Sequence, residues 1–145
     1  MSSLTPSTKI ILKKSRIAKA GRGVFATRNI RKGEIIETCP VILVSKRDPS
    51  NVDGVVMLRY FFYFGPGRKL KSAIAVVLGF GSLYNHSYEP NAKYVRRVSK
   101  RVVEFVAVKD IKKGEEITVN YNFGNPNDKS RPWGHHNIAA YKKEK

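Results

Sequence analysis

The stretch from Gly81 to Tyr94, GSLYNHSYEPNAKY, constrains this chain more than any other. It crowds Asn85, His86 and Ser87 together and sets Pro90-Asn91 shortly after. Residues of these types favour turns and side-chain-to-backbone hydrogen bonds over a plain strand or helix. Yet apolar segments flank it, Ala73 to Leu78 and Val102 to Val108, and both read as core strands. A polar, irregular segment between core strands must satisfy its own buried polar groups. That arrangement is costly, and a site is a natural reason for it; a bland connecting loop is the alternative.

Read in order, the chain is a succession of short strands and corners. Lys9 to Lys14 predicts a strand around Ile10, Ile11 and Leu12. Ala20-Gly21-Arg22-Gly23 then sets two glycines astride one residue, which suits a tight turn or a backbone that approaches a ligand closely. It is not a dinucleotide fingerprint, because the third glycine and the following helical pattern are missing. Asn29-Ile30-Arg31-Lys32-Gly33-Glu34 has an echo at Asp110-Ile111-Lys112-Lys113-Gly114-Glu115. Each offers an Asx residue to open a turn, a basic pair, and a glycine where positive φ is cheap. Both read as structural turn-to-strand corners rather than as a true repeat. Glu34 to Ser45 predicts two short strands broken at Cys39-Pro40. Val55 to Phe64 suits a buried helix or a strand, ended by Gly65-Pro66-Gly67. Ile117 to Phe123 alternates as a half-buried strand should, with Ile117, Val119, Tyr121 and Phe123 on the inner face. Asp48 to Asp53 and Gly124 to Pro132 read as loops. Together these patterns predict a mostly-β fold of the α+β class, without the βαβ rhythm of a Rossmann domain.

Charge bounds the partners. Lysine and arginine number 28 against 11 acidic residues, a net charge of +17, and the first acidic residue is Glu34. A second basic cluster is Lys93, Arg96, Arg97, Lys100 and Arg101. Such a field favours polyanions, either nucleic acid or an acidic partner; a merely solvated basic surface is the alternative. Cys39 is the only cysteine, which excludes internal disulfides and a multi-cysteine zinc site and leaves a buried structural thiol. No apolar run approaches a membrane span, and the N-terminus lacks signal-peptide order, so the expected location is intracellular.

Three pieces in this order resemble the SET domain of protein lysine methyltransferases: the Gly21-Arg22-Gly23 turn, Asn85-His86-Ser87 with Pro90-Asn91, and Glu116-Ile117-Thr118-Val119-Asn120-Tyr121. The resemblance runs from about Lys9 to Phe123. It implies a fold of small curved sheets in which the Asn-His segment is threaded beneath the chain near the final tyrosine, a knot-like crossing. It implies a flexible N-terminus (1–8), the SET domain itself (9–124) and a basic tail (125–145) able to close the cofactor site. The expected cofactor is S-adenosyl-L-methionine, with no metal. Around Ala20, Gly21, Arg22 and Gly23 the backbone would meet its methionine moiety. Asn85 would hold its amino or carboxylate end, and His86 would meet the adenine through its backbone. His86 has a competing reading as a satisfied structural histidine.

Tyr121 matches the family's catalytic tyrosine; an ordinary half-buried strand tyrosine is the alternative. Tyr94 falls at a lysine-channel position. Val119 stands where the family often has Phe or Tyr, a choice that limits methyl number. A small Val119 opens space that Tyr94 would refill, which favours one or two methyl transfers over three. Glu37 is followed by Thr38 where the family often has tyrosine, so one channel aromatic is missing, and Tyr60 or Tyr63 is a candidate replacement. The Cys-rich zinc module that can follow the domain is absent, which, with a short insert between Val52 and Lys71, is similar to compact viral and bacterial members. Trp133 is then the candidate to close the cofactor site, or else a packing anchor.

A lysine-bearing tail, such as a histone's, is itself basic, and repulsion from +17 would slow encounter. Three resolutions stand. A local acidic groove could use Glu89, Glu104, Glu115, Glu116 or Asp128; the substrate could be acidic; or the basic face could bind nucleic acid beside a bound protein substrate. The competing function is a catalytically weak SET-like module that binds nucleic acid or chromatin through its basic surface. A histone substrate implies the nucleus or nucleoid, another substrate the cytoplasm, and a homodimer is compatible with compact members.

Overall fold

The computed structural model describes residues 3–44, 60–64, 73–130 and 132. The expectations for Asp48 to Asp53, Val55 to Arg59, Gly65 to Gly67 and Trp133 lie outside them. Among the described residues the strands are β1 (Ile10–Lys14), β2 (Arg22–Ala26), β3 (Ile35–Val44), β4 (Phe61–Phe64), β5 (Ala73–Val77), β6 (Asn85–His86), β7 (Ala92–Arg97), β8 (Val102–Ala107) and β9 (Glu116–Val119). They build a four-stranded sheet in the order β1-β2-β9-β6 and a five-stranded sheet in the order β4-β5-β3-β8-β7. The mostly-β expectation holds. In β2, Gly23 to Ala26 are buried on both faces, because the strand lies between β1 and β9 and its sheet is covered.

Three expectations are corrected. Strand β3 runs unbroken through Cys39-Pro40. Pro40 is tolerated because the strand changes partners there: Ile35 to Pro40 pair with β8, and Val41 to Val44 pair with β5. The missing N–H falls at the handover, and the Pro40 carbonyl still accepts Leu78 N–H at 3.0 Å. Second, β9 stops at Val119 rather than Phe123. Asn120 Oδ1 captures the Asn122 N–H at 2.9 Å and Gly124 N–H returns to the Asn120 carbonyl, so a turn replaces the strand. Asn120 and Asn122 are consequently buried, the reverse of the predicted alternation. Third, Ala92 to Tyr94, read as part of the irregular stretch, already belong to β7.

The two echoing corners meet. Ile30 and Ile111 form a reciprocal antiparallel bridge, each N–H donating to the other's carbonyl at 2.8 Å. Asn29 Oδ1 accepts the Lys113 N–H at 2.9 Å, and Asp110 Oδ1 accepts the Lys32 N–H at 2.8 Å. Each Asx side chain therefore caps the other corner, and each glycine (Gly33 φ +89°, Gly114 φ +86°) turns its chain into a strand. The corners are a local pseudo-two-fold, more symmetric than the sequence reading allowed.

A register shift between Ile35 and Glu37 inserts one extra residue into β3, so that Ile36 and Glu37 both turn inward. Buried Glu37 accepts the Phe80 N–H at 2.9 Å and the Tyr84 hydroxyl at 2.8 Å. Tyr84 also stacks on Phe105 with ring centroids 4.2 Å apart. The carboxylate thereby anchors the start of the Gly81–Leu83 turn that leads into the Asn-His segment. Tyr84→Phe keeps the stacked ring but removes the hydroxyl donor from a buried carboxylate. We expect it to lower unfolding stability by about 1–3 kcal/mol in urea titrations; an unchanged midpoint would show that Glu37 does not depend on this bond.

Burial pushes the Cys39 thiol and the Tyr84, Tyr94 and Tyr121 hydroxyls upward from ordinary values of 9.0 and 10.0. Such groups keep their protons in the folded chain after the unfolded chain has lost them. The stability they confer is complete below the unfolded values and is lost as pH rises through the alkaline range. Stability is expected to decline once pH passes 9.0, and Cys39→Ala to move the onset toward 10.0, read from urea midpoints across a pH series.

Candidate functional site

The site is assembled on β9, which β2 flanks on one side and β6 on the other. Strand β6 runs parallel to it, with Asn85 opposite Thr118 and His86 opposite Val119. This pairing joins chain segments far apart in sequence, and side chains complete it. The Asn91 amide acts as a further piece of strand: its Oδ1 accepts the Thr118 N–H and its Nδ2 donates to the Glu116 carbonyl, both at 2.9 Å. Ser87 N–H continues the ladder to the Val119 carbonyl at 3.0 Å. The Asn91 amide and the Ser87 N–H of the irregular stretch are thus satisfied by β9.

Asn85 connects this strand to the glycine turn. Its Nδ2 donates to the Arg22 carbonyl and to Glu116 Oε1, both at 2.9 Å, and lies 3.2 Å from Ser15 Oγ. Glu116 in turn accepts the Ser15 hydroxyl at 2.7 Å and the Arg16 N–H at 2.9 Å. Gly23 is required by this packing, since a Cβ there would collide with the Glu116 carboxylate. Gly21 adopts φ +75° and its carbonyl accepts the Ser15 N–H at 2.8 Å. Ala20, Gly21, Arg22, Gly23 and Asn85 are therefore brought together around Glu116, weighed from the sequence for an acidic groove, and Ser15, which the sequence reading did not assign. The sequence signal for the fastening role of Glu116 was only its place at the head of the motif containing Tyr121.

His86 is 1% exposed. Its Nδ1 accepts the Tyr121 N–H at 3.0 Å, so that nitrogen is the unprotonated one, and its ring packs edge-on against Tyr88 at 4.5 Å. The side chain thus has the structural employment named as the competing reading, while its backbone lies in β6. Tyr121 sits in the turn beyond β9 and donates its hydroxyl to the Tyr84 carbonyl at 2.7 Å. Burial, and then the neighbouring Tyr60 and Tyr94 hydroxyls, push its ionisation far upward, which keeps it protonated. Tyr94 donates to the Tyr121 carbonyl at 3.2 Å and packs edge-on against Phe62 at 5.0 Å. Gly124 (φ +75°) lets the chain cross Tyr94, because a Cβ there would strike the Tyr94 carbonyl. Tyr60 is partly exposed near this cluster, and Tyr63 instead stacks on Phe123 at 5.4 Å. Val119 is fully buried in the core. Trp133 lies outside the described residues.

Beyond Tyr121 the chain folds back over the Asn-His segment. Asn120 and Asn122 donate to the Asp128 and Ser130 carbonyls, Lys129 Nζ donates to the Tyr88 carbonyl at 2.6 Å, and the Tyr88 hydroxyl donates to the Ser130 carbonyl at 3.3 Å. The acidic residues weighed for a substrate groove are dispersed. Glu116 holds the glycine turn, Glu104 pairs with Arg97 at 3.0 Å, and Asp128 accepts from Ser130 within its own loop.

Comparison with known proteins accords with this geometry. The family model for the SET domain matches residues 21–122. A histone-lysine N-methyltransferase of Schizosaccharomyces pombe, H3 lysine-37 specific, is 28% identical over 104 residues, covering 71% of this chain and 67% of that protein. Among solved structures, a Plasmodium falciparum protein described as a histone methyltransferase superposes with a TM-score of 0.61 at 30% identity, over 82% of this chain and 96% of that one. A polycomb repressive complex 2 in an autoinhibited conformation bound to S-adenosylmethionine shares the fold at TM-score 0.61 and 24% identity, over 83% of this chain and 16% of that one. With the Asn-His strand paired to β9, the glycine turn fastened to Asn85 and the tyrosine lodged where the chain crosses itself, the chain belongs to the SET domain family.

Proposed function

We infer that this protein-lysine methyltransferase takes its methyl group from S-adenosylmethionine and delivers one or two methyls to a lysine in a histone or similar basic chromatin protein. The observation that carries the reading is Tyr121: a buried, protonated hydroxyl held on the Tyr84 carbonyl, one strand-end away from Asn85 and His86.

The residues at the glycine turn fit the cofactor. Both Asn85 amide protons are engaged by Arg22, Glu116 and Ser15, while its Oδ1 makes no hydrogen bond among the described residues and is suited to accept from an ammonium. Gly21 adopts a positive φ with open space where a Cβ would stand, and Gly23 seats the Glu116 carboxylate that holds Asn85, so Ala20 to Gly23 and Asn85 would hold the methionine end, with the His86 backbone toward the adenine. When bound, S-adenosylmethionine supplies a methyl group already activated on a sulfonium.

What remains for the protein is alignment of a neutral amine and exclusion of water. Tyr121 uses its proton on Tyr84, which leaves its oxygen lone pairs for weak C–H···O contacts that steer the methyl. Tyr94, fixed by Phe62 and by its bond to the Tyr121 carbonyl, would limit the room in a lysine channel that Val119 and Tyr60 would help to line. A fixed hydroxyl at that position favours mono- and dimethylation.

Incubation of histones with isotopically labelled S-adenosylmethionine, read by mass spectrometry, tests the reaction. Label is expected on lysine side chains, and Tyr121→Phe is expected to reduce the rate roughly 10²-fold or more while calorimetric cofactor binding persists. Absence of both label and cofactor binding in the wild type would refute the reading. Tyr94→Phe is expected to raise the highest methyl state reached; an unchanged distribution of methyl states would remove Tyr94 from that role.

A further inference from the structure

The two corners that cap one another carry more than structure. The bridge buries Ile30 and Ile111 and turns the adjoining residues outward. Arg28, Arg31 and Lys32 from one corner and Lys109, Lys112 and Lys113 from the other are all exposed. Groups 78 and 84 residues apart in sequence thus share one ribbon: Lys32 N–H is bound to Asp110, and Lys113 N–H to Asn29. The carboxylates of Asp110 and Glu34 are already engaged. Asp110 caps Lys32, and Glu34 accepts the Arg31 N–H at 2.9 Å and pairs with Lys9 at 3.4 Å and Arg28 at 3.2 Å. Among the described residues, Arg31, Lys32, Lys109, Lys112 and Lys113 form no ion pair with an acidic side chain.

We propose that this paired-corner ribbon is a docking surface for the phosphate backbone of duplex DNA. Its chemistry suits phosphates, because it presents cations on two rigid, mutually capped turns. It carries no aromatic residue between Arg28 and Glu34 or between Lys109 and Glu116, so it lacks the stacking platform that single strands use. It also stands clear of the catalytic centre. Gly114 N–H binds the Ala26 carbonyl, at the opposite end of β2 from the Arg22 turn, roughly 13 Å away at the rise of a strand. The choice of DNA rests on the reading that the substrate is a chromatin protein. A DNA-bound enzyme meets its basic substrate on a shared polyanion, which offsets repulsion between two positive proteins and raises local concentration.

The test is fluorescence anisotropy of the whole chain with a labelled duplex of about 20 base pairs across a salt series, without cofactor. If four or five phosphates are engaged, log Kobs should fall with log salt at a slope of about −4. Lys32→Glu/Lys112→Glu is expected to weaken binding at least about tenfold and to flatten the slope by about 2. Lys93→Glu/Lys100→Glu, with the same change in net charge in the β7–β8 region, is expected to change affinity far less. Lys32→Gln/Lys112→Gln should give an intermediate loss, and thermal melts check that each variant is folded. Equal loss in the two glutamate pairs, or equal affinity for single-stranded and duplex DNA, would overturn the proposal. Methylation of an isolated histone peptide separates the two readings. If peptide is methylated but the corner variants bind DNA like wild type, only the docking surface falls. If peptide is not methylated but the corner variants lose DNA, the surface stands and the choice of substrate falls.

Discussion

Everything in this molecule depends on β9 being paired on both edges. On one side β2 supplies an antiparallel neighbour; on the other, two residues of β6 and the amide of Asn91 supply a short, partly side-chain imitation of a strand. A two-residue parallel pairing is weak by itself, because it yields few bonds for a long chain closure. It persists because each polar residue of the segment adds its own bond to the same target. Asn85 reaches Glu116, His86 receives the Tyr121 N–H, Ser87 extends the ladder and Asn91 finishes it. The expensive segment is therefore stable through the residues that make it look unlike a strand.

The same logic ties the glycine turn to Tyr121. Glu116 opens β9 and fastens Ser15, Arg16 and Asn85; Tyr121 follows the end of the same strand. Ends of a four-residue strand cannot move independently, so the strand works as a spacer of fixed length between two functions. From the other sheet, Glu37 fixes Tyr84 by its hydroxyl, and the Tyr84 carbonyl fixes Tyr121 by its hydroxyl. The tyrosine is located by both sheets at once, which is the kind of support a side chain needs if it is to align a reaction in place.

Some of this was legible in the sequence. The short strands, the glycine turn, the special status of Asn85 to Asn91 and the two Asx-Gly corners all follow from residue types whose local preferences dominate. The misreadings have a common physical cause, which is that partners decided them. Pro40 looks like a strand breaker until β3 is seen to exchange β8 for β5 at that residue. Asn120 and Asn122 look like the outer face of a strand until Asn120 is seen to cap its own turn and both amides to hold the returning chain. His86 carries no local mark that distinguishes a cofactor contact from a bond to a backbone N–H thirty-five residues on. Nor does a corner that repeats at long range announce that its two copies will touch.

The charge distribution follows from the same architecture. The candidate site is built from tyrosines and amides, with Glu37 and Glu116 turned to internal bonds, so its described residues carry little free charge. Among the described residues, many lysines and arginines stand exposed on turns and strand edges, where they are solvated and cost the fold little. A protein arranged in this way separates two tasks that would interfere if combined. Under the proposed function, a cleft whose described carboxylates are turned to internal bonds suits a lysine that enters as an uncharged amine. The cationic exterior acts on partners at longer range, and salt screens it without weakening the hydrogen bonds inside. On the proposed reading, sensitivity to ionic strength would belong to encounter and docking, while the chemical step would answer to pH and to the hydroxyl of Tyr121.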